Sequence, residues 1–331
     1  MGRVDLRDAN AARMGWPATA FALRFRGTSI VLRLRDVPRQ DETPDADWIS
    51  VSIDDAPARA FRLRRGDARY PVARGLAPGE HTLVVAKRTE AEVGVVELRG
   101  VELGPRTQLL RGPRRRARRI EVLGDSVTTG FGNLGRDATC SFEASTQNAL
   151  TAYAVLAARD VGAEVSLVAW SGKGVGRNAD GRDAVALPAL YDRAVPESDA
   201  AWDLSRDVPD VVVVNLGAND FFRGTPPRDA FVGAYRALLE RVRRARPDAL
   251  VLVVLSPMLF DDATHTMRRD ARAWLDALVA ERRSAGDVRL EIVDQWADAA
   301  EGFGCQFHPS ARAHVRLARE LSVLLRARLG W

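Results

Sequence analysis

Lysine is nearly absent from this 331-residue chain: Lys87 and Lys173 are its only two lysines, and arginine supplies the other basic residues behind a net charge of +5. Such a skew reflects codon usage rather than an acidic partner. Cysteine is as scarce, with Cys140 and Cys305 alone, and the two cysteines and four histidines show no zinc-ligand spacing. We therefore expect no metal and no cofactor. No apolar run approaches the 18 or so residues that cross a bilayer, so no membrane partner is expected. The opening Met1-Gly2-Arg3-Val4-Asp5 has no apolar core of a signal peptide. Either the protein stays inside the cell or a leader precedes this sequence.

What remains is a soluble composition, 46% hydrophobic and 28% charged, long enough for two cores. The first hundred residues alternate as half-buried strands do: Phe21–Arg26, Ile30–Arg35, Trp48–Ile53, Phe61–Arg64, His81–Val85 and Gly94–Leu98. Arg65-Gly66-Asp67, Ala77-Pro78-Gly79 and Asp54-Asp55-Ala56-Pro57 read as turns between them, and no helix is expected before residue 110. Residues 1–112 are thus expected to form an antiparallel β-sandwich of jelly-roll type. No chemical groups cluster there, and His81 reads as an ordinary strand or surface histidine. The basic run Arg111–Arg119 has no interleaved aromatics and sits where a linker belongs, so it is read as solvated rather than as a nucleic-acid patch.

Beyond it, strands alternate with helices. Ile120–Leu123, Glu164–Trp170, Val211–Leu216, Leu250–Leu255 and Arg289–Val293 read as strands, and near-continuous apolar runs suit a parallel sheet covered on both faces. Helices are expected over 148–160, 228–246, 267–284 and 311–328. In the second of these, Phe231, Tyr235, Leu238, Leu239 and Val242 share a face. Residues 113–331 therefore read as a doubly wound α/β domain.

Four loops of that domain carry reactive groups at strand ends, where open α/β sheets bind ligands. Gly124-Asp125-Ser126 breaks the first strand and exposes a hydroxyl. Gly172 follows the second strand, Gly217-Ala218-Asn219-Asp220 the third, and His308 opens the last helix. Singly, Gly172 is a turn glycine, Asn219 a cap, His308 an ordinary histidine and Ser126 a helix cap. Together they supply a nucleophile, a base and oxyanion donors: Ser126 and His308 as the catalytic pair, with the N–H groups of Ser126 and Gly172 and the Asn219 amide for the oxyanion. His265 is the rival base, whereas His314, six residues further on, faces elsewhere.

These blocks resemble the SGNH/GDSL hydrolase superfamily. Gly2-Arg3, Phe25-Arg26-Gly27-Thr28-Ser29, Ser171-Gly172-Lys173-Gly174-Val175, Leu187-Pro188-Ala189-Leu190-Tyr191-Asp192 and His308-Pro309-Ser310 extend the resemblance to carbohydrate esterase family 2 over nearly the whole chain. The resemblance implies a jelly-roll followed by a hydrolase domain, secretion or a periplasmic place, and removal of acetyl groups from polysaccharides of the xylan or glucomannan type. The expected partner is therefore an acetylated polysaccharide or oligosaccharide; the sequence does not indicate an oligomeric state. Where the superfamily has an Asp three residues before the His, this chain has Cys305. Some family members resemble this pattern and use a Ser–His dyad, so a main-chain carbonyl of Cys305 or Gln306 is expected to take the Nδ1–H of His308, unless Asp294 or Asp298 reaches it. Cys140 and Cys305 are expected near the same crevice, as a disulfide or as two buried thiols. Two other functions stay open: a lipid or thioester hydrolase of the same superfamily, and a carbohydrate-binding protein with an idle site. Trp170, Phe221, Phe222 and Trp296 are candidate sugar platforms, each subject to its exposure.

Overall fold

Apolar–polar alternation in the first 110 residues builds two antiparallel sheets, whose facing sides make one core. The computed structural model describes residues 1–39, 45–54, 56–181 and 185–331; Asp55, in one expected turn, lies outside them. The strands are β1 (Ala12–Met14), β2 (Ala20–Arg26), β3 (Ile30–Pro38), β4 (Trp48–Ile53), β5 (Arg59–Arg62), β6 (Gly66–Ala73), β7 (Glu80–Lys87), β8 (Gly94–Leu103) and β9 (Gln108–Leu110). One sheet runs β1-β8-β3-β6 and the other β5-β4-β7-β2-β9. Leu32, Leu34 and Val96 from the first pack against Phe25, Ile49, Val51 and Leu83 from the second. Among the described residues before 110 there is no helix. One expectation fails here: Gly66 and Asp67, read as part of a turn, begin β6. The strand is an edge, where Pro71 needs no ladder hydrogen bond, and its polar face and its Gly and Pro hide it in the sequence.

The second half is a five-stranded sheet in which every pair is parallel: β10 (Arg119–Gly124), β11 (Glu164–Ala169), β12 (Val211–Asn215), β13 (Leu250–Leu255) and β14 (Leu290–Asp294), in the order β11-β10-β12-β13-β14. The helices are α1 (Ser126–Thr129), α2 (Tyr153–Asp160), α3 (Ala218–Phe221), α4 (Arg228–Ala245), α5 (Met267–Ser284) and α6 (Ala311–Leu329). Strand side chains alternate between two cores. Ile120, Val122, Val213 and Leu252 pack with α2 and α6, while Leu123, Val212, Val214 and Val253 pack with α4 and α5. The apolar face read on α4 is buried residue for residue. Helix α2 starts five residues later than expected, because Asn148 caps a short 3₁₀ turn by accepting from Leu150 N–H at 3.1 Å. The chain leaves β10 to one side for β11 and returns on the other side for β12. That reversal opens a crevice at the carboxyl ends of the three strands.

The antiparallel and parallel parts are joined by buried chemistry as well as by chain. Arg3 donates to Glu121 at 2.8 Å, Tyr191 Oη donates to the same carboxylate at 2.9 Å, and Arg246 meets it at 3.2 Å. Trp16, fully buried, donates from its indole N–H to Arg193 O at 3.2 Å. The basic segment is not simply solvated: Arg115 pairs with Glu164 and Asp207, Arg116 donates to Ala163 O, and Arg118 donates to Val161 O. The turn between α2 and β11 therefore takes two of these cations.

Candidate active site

Strand β10 ends at Gly124, and Asp125 caps α1 by accepting from Val127 N–H at 3.1 Å. Ser126 is thus the first residue of a one-turn helix and is nearly buried. Burial pushes the Asp125 carboxyl up to about 7, against the hydrogen bond from Val127. At the other end of the domain, Ser310 caps α6 by accepting from Ala313 N–H at 3.2 Å, which leaves His308 extended just ahead of the helix. His308 Nε2 stands 2.8 Å from Ser126 Oγ.

The other ring nitrogen faces main chain. His308 Nδ1 lies 3.2 Å from Cys305 O and 3.1 Å from Gln306 O. A carbonyl oxygen only accepts, so Nδ1 carries the proton and Nε2 is free to accept from the serine hydroxyl. Among the described residues no carboxylate takes that place: Asp294 is held by Arg268 and Arg272, and Asp298 caps Ala300 N–H. The two carbonyls converge because Gln306 and Phe307 both adopt left-handed backbone, at φ 53° and 58°. Non-glycine residues in that region cost energy and need support. Support comes from the Cys140–Cys305 disulfide, from Cys305 N–H to Gly132 O at 2.9 Å, and from Phe307 N–H to Ala138 O at 3.1 Å. A Cβ on Gly132 would stand 2.8 Å from Cys305 Cβ, so that close approach requires glycine. Phe131 packs against the imidazole at a ring separation of 4.5 Å. Burial holds His308 down to about 4, while its two carbonyl partners pull the other way.

Gly172 has φ +78°, a conformation side chains disfavour, and a Cβ there would meet nothing within 4 Å. The glycine is thus needed for its backbone shape. Asp220 fixes the loop that follows by accepting from the N–H groups of Val175, Gly176 and Arg177 at 2.9, 2.8 and 2.7 Å. Asn219 Nδ2 donates to Lys173 O at 2.9 Å and lies 3.4 Å from Asp125 Oδ2. Its second proton is held weakly and faces the serine loop.

The rival groups are elsewhere. His265 sits on an exposed loop paired with Asp262 at 2.9 Å, and His314 is buried with Nδ1 accepting from Tyr153 N–H at 3.1 Å. His81 lies on β7, paired with Asp54. Trp170 and Phe221 belong to the core, whereas Phe222 and Trp296 are exposed, as is Phe307 beside the histidine. No cluster of chemical groups was expected in the first hundred residues, yet two carboxylates there, Glu90 and Glu92 on the β7–β8 turn, reach Ser171 and Trp170. Two carboxylates spaced two apart beside one of only two lysines were the signal for them.

Residues 1–113 match the family model described as carbohydrate esterase 2 N-terminal, and residues 122–316 match the GDSL-like lipase/acylhydrolase family. A solved family two carbohydrate esterase from Clostridium thermocellum, in complex with cellohexaose, superposes with a TM-score of 0.93 at 32% identity, over 100% of this chain and 98% of that one. The chain is 32% identical to the cellulase/esterase CelE of Acetivibrio thermocellus and spans 39% of its length. It is 27% identical to an acetylxylan esterase / glucomannan deacetylase of Cellvibrio japonicus, covering 88% of that protein.

Proposed function

Because the chain belongs to carbohydrate esterase family 2, its second half to the GDSL-like lipase/acylhydrolase family, we propose that it is a serine esterase that removes O-acetyl groups from polysaccharides of the xylan or glucomannan type. The observation that carries the reading is the 2.8 Å approach of His308 Nε2 to Ser126 Oγ, with Nδ1 committed to two carbonyls. That arrangement makes the imidazole a base aimed at one hydroxyl.

In this reading Ser126 Oγ attacks the acetyl carbonyl while His308 Nε2 takes its proton. The oxyanion is met by the N–H groups of Ser126 and Gly172 and by Asn219 Nδ2. His308 then returns the proton to the departing sugar oxygen, leaving an acetyl-enzyme. Water enters, His308 takes a proton from it, and acetate leaves with the serine hydroxyl restored. The imidazolium that forms twice per cycle is stabilised by carbonyl dipoles rather than by a full negative charge. Exposed Phe307, the residue before His308, and exposed Phe222, three residues after Asn219, are apolar faces on which sugar rings could stack. The same reading divides the chain into a sandwich over 1–112 and a hydrolase domain over 113–331.

The test is acetate release from acetylated xylan and glucomannan, together with hydrolysis of p-nitrophenyl esters from acetyl to octanoyl. Acetate release with a steep fall along the ester series supports the reading. Preference for octanoyl, or full turnover in Ser126→Ala, ends it.

A further inference from the structure

The turn between β7 and β8 carries two carboxylates from the sandwich into the hydrolase half. Its shape is set from behind. Lys87, fully buried, pairs with Asp47 at 2.6 Å and donates to the carbonyls of Thr89 and Glu90 at 2.9 and 3.0 Å. Thr89 Oγ1 donates to the same Asp47. Gln147 locks the turn from the other side, accepting from Glu90 N–H at 3.2 Å.

The Glu90 side chain, with no exposed surface, is surrounded by donors. It accepts from Ser171 N–H at 2.6 Å, from Ser171 Oγ and from Gln147 Nε2 at 2.8 Å, and Thr129 Oγ1 lies 3.4 Å from it. Thr129 Oγ1 also lies 3.1 Å from Ser171 Oγ and donates to Ser126 O at 3.1 Å. Two residues on, Glu92 accepts from Trp170 Nε1 at 2.9 Å and pairs with Arg39 at 2.8 Å. One short turn therefore grips both residues before Gly172 and the last residue of the helix that begins with Ser126. Burial raises the Glu90 carboxyl above its ordinary value, no cation among the described residues stands against it, and an apolar contact would join two domains at less cost. The donor set instead fixes two strand-end loops to each other.

We infer that Glu90 is a positioning residue for the proposed esterase reaction, setting the Gly172 N–H against the Ser126 hydroxyl, so that the sandwich completes the hydrolase site. This rests on the esterase reading. Glu90 touches no reacting atom; it acts through Ser171 and Thr129. The geometry makes the conservative variant informative. Gln147 Oε1 is already taken by Glu90 N–H, so its Nε2 must face the Glu90 carboxylate. The amide introduced by Glu90→Gln sets a donor against either Gln147 Nε2 or Ser171 N–H in both of its orientations.

The experiment is steady-state hydrolysis of p-nitrophenyl acetate by the full chain and by Glu90→Gln, with thermal melting of each. A displacement near 1 Å at a reacting centre is worth about 10² in rate. The expected result is kcat lower by about 10–10², with KM changed by less than about twofold, in a variant folded at the assay temperature. A folded Glu90→Gln with kcat within twofold of the parent overturns the inference while leaving the esterase reading intact. If that variant does not fold, Ser171→Ala, which removes the hydroxyl end of the same contact, decides by the same criterion. A parent protein with no turnover overturns the esterase reading first and this inference with it.

Discussion

The carbonyl oxygen of Cys305 lies 3.2 Å from Nδ1 of His308, so the residue that ties down the loop also orients the imidazole. Sulfur and carbonyl of one residue thus serve two ends: the disulfide holds the backbone, and the backbone fixes the tautomer. The two carbonyl dipoles raise the basicity of the ring less than a buried carboxylate would, and burial outweighs them.

That has a pH consequence. Burial holds His308 down to about 4, so the neutral, base-competent ring persists well below the ordinary histidine range. The protonated ring cannot accept from Ser126, so in the proposed mechanism activity is lost as pH falls through the folded-state value. We expect kcat/KM for p-nitrophenyl acetate to stay level from pH 7 to about 5 and to fall through an acid limb centred near 4. A limb centred near 6.5 would contradict this.

Asn219 tests the oxyanion arrangement. Its amide already spends one proton on Lys173 O and has a weak contact for the other. Asn219→Ala should lower kcat by about 10²–10³ with little change in KM, the ordinary loss for one oxyanion donor. Loss confined to KM would assign Asn219 to ground-state binding instead.

The disulfide closes a loop of 165 residues. Cys140→Ala should destabilise the protein by about 2–5 kcal/mol, read from denaturant midpoints. It should also lower kcat, because Gln306 and Phe307 lose part of what holds them left-handed. Equal stability and equal kcat in the variant would show that the main-chain bonds of the loop suffice.

Arg3 tests how the N-terminal segment is held. Burial raises the Glu121 carboxyl, but Arg3 and Arg246 outweigh it and bring it below its ordinary value. The pair therefore stabilises the fold above the unfolded carboxylate range and stops doing so as pH falls through the depressed folded value. Arg3→Met should cost about 3–5 kcal/mol at pH 7, as expected when one partner of a buried pair is removed. The gap from the parent should narrow in strongly acidic buffer. A gap that is the same at both pH values would mean that packing, not charge, sets the cost.

Sequence alone was enough for whatever depends on local period and on strand-end chemistry. Alternation at Phe21–Arg26 and the apolar runs at Val211 and Leu250 separated an antiparallel part from a parallel one, and Ser126, Gly172, Asn219 and His308 were readable because each follows a strand or opens a helix. The edge strand β6 was hidden by Gly66 and Pro71, whose local preference says turn while pairing with β3 says strand. The partners of the site were hidden for a different reason. Whether Cys140 and Cys305 were bonded thiols or free ones depended on two loops 165 residues apart meeting, and the role of Glu90 depended on a turn from one sheet system entering another. Hydrogen bonds and disulfides form between atoms close in space, and closeness over such separations is set only when the whole chain has packed.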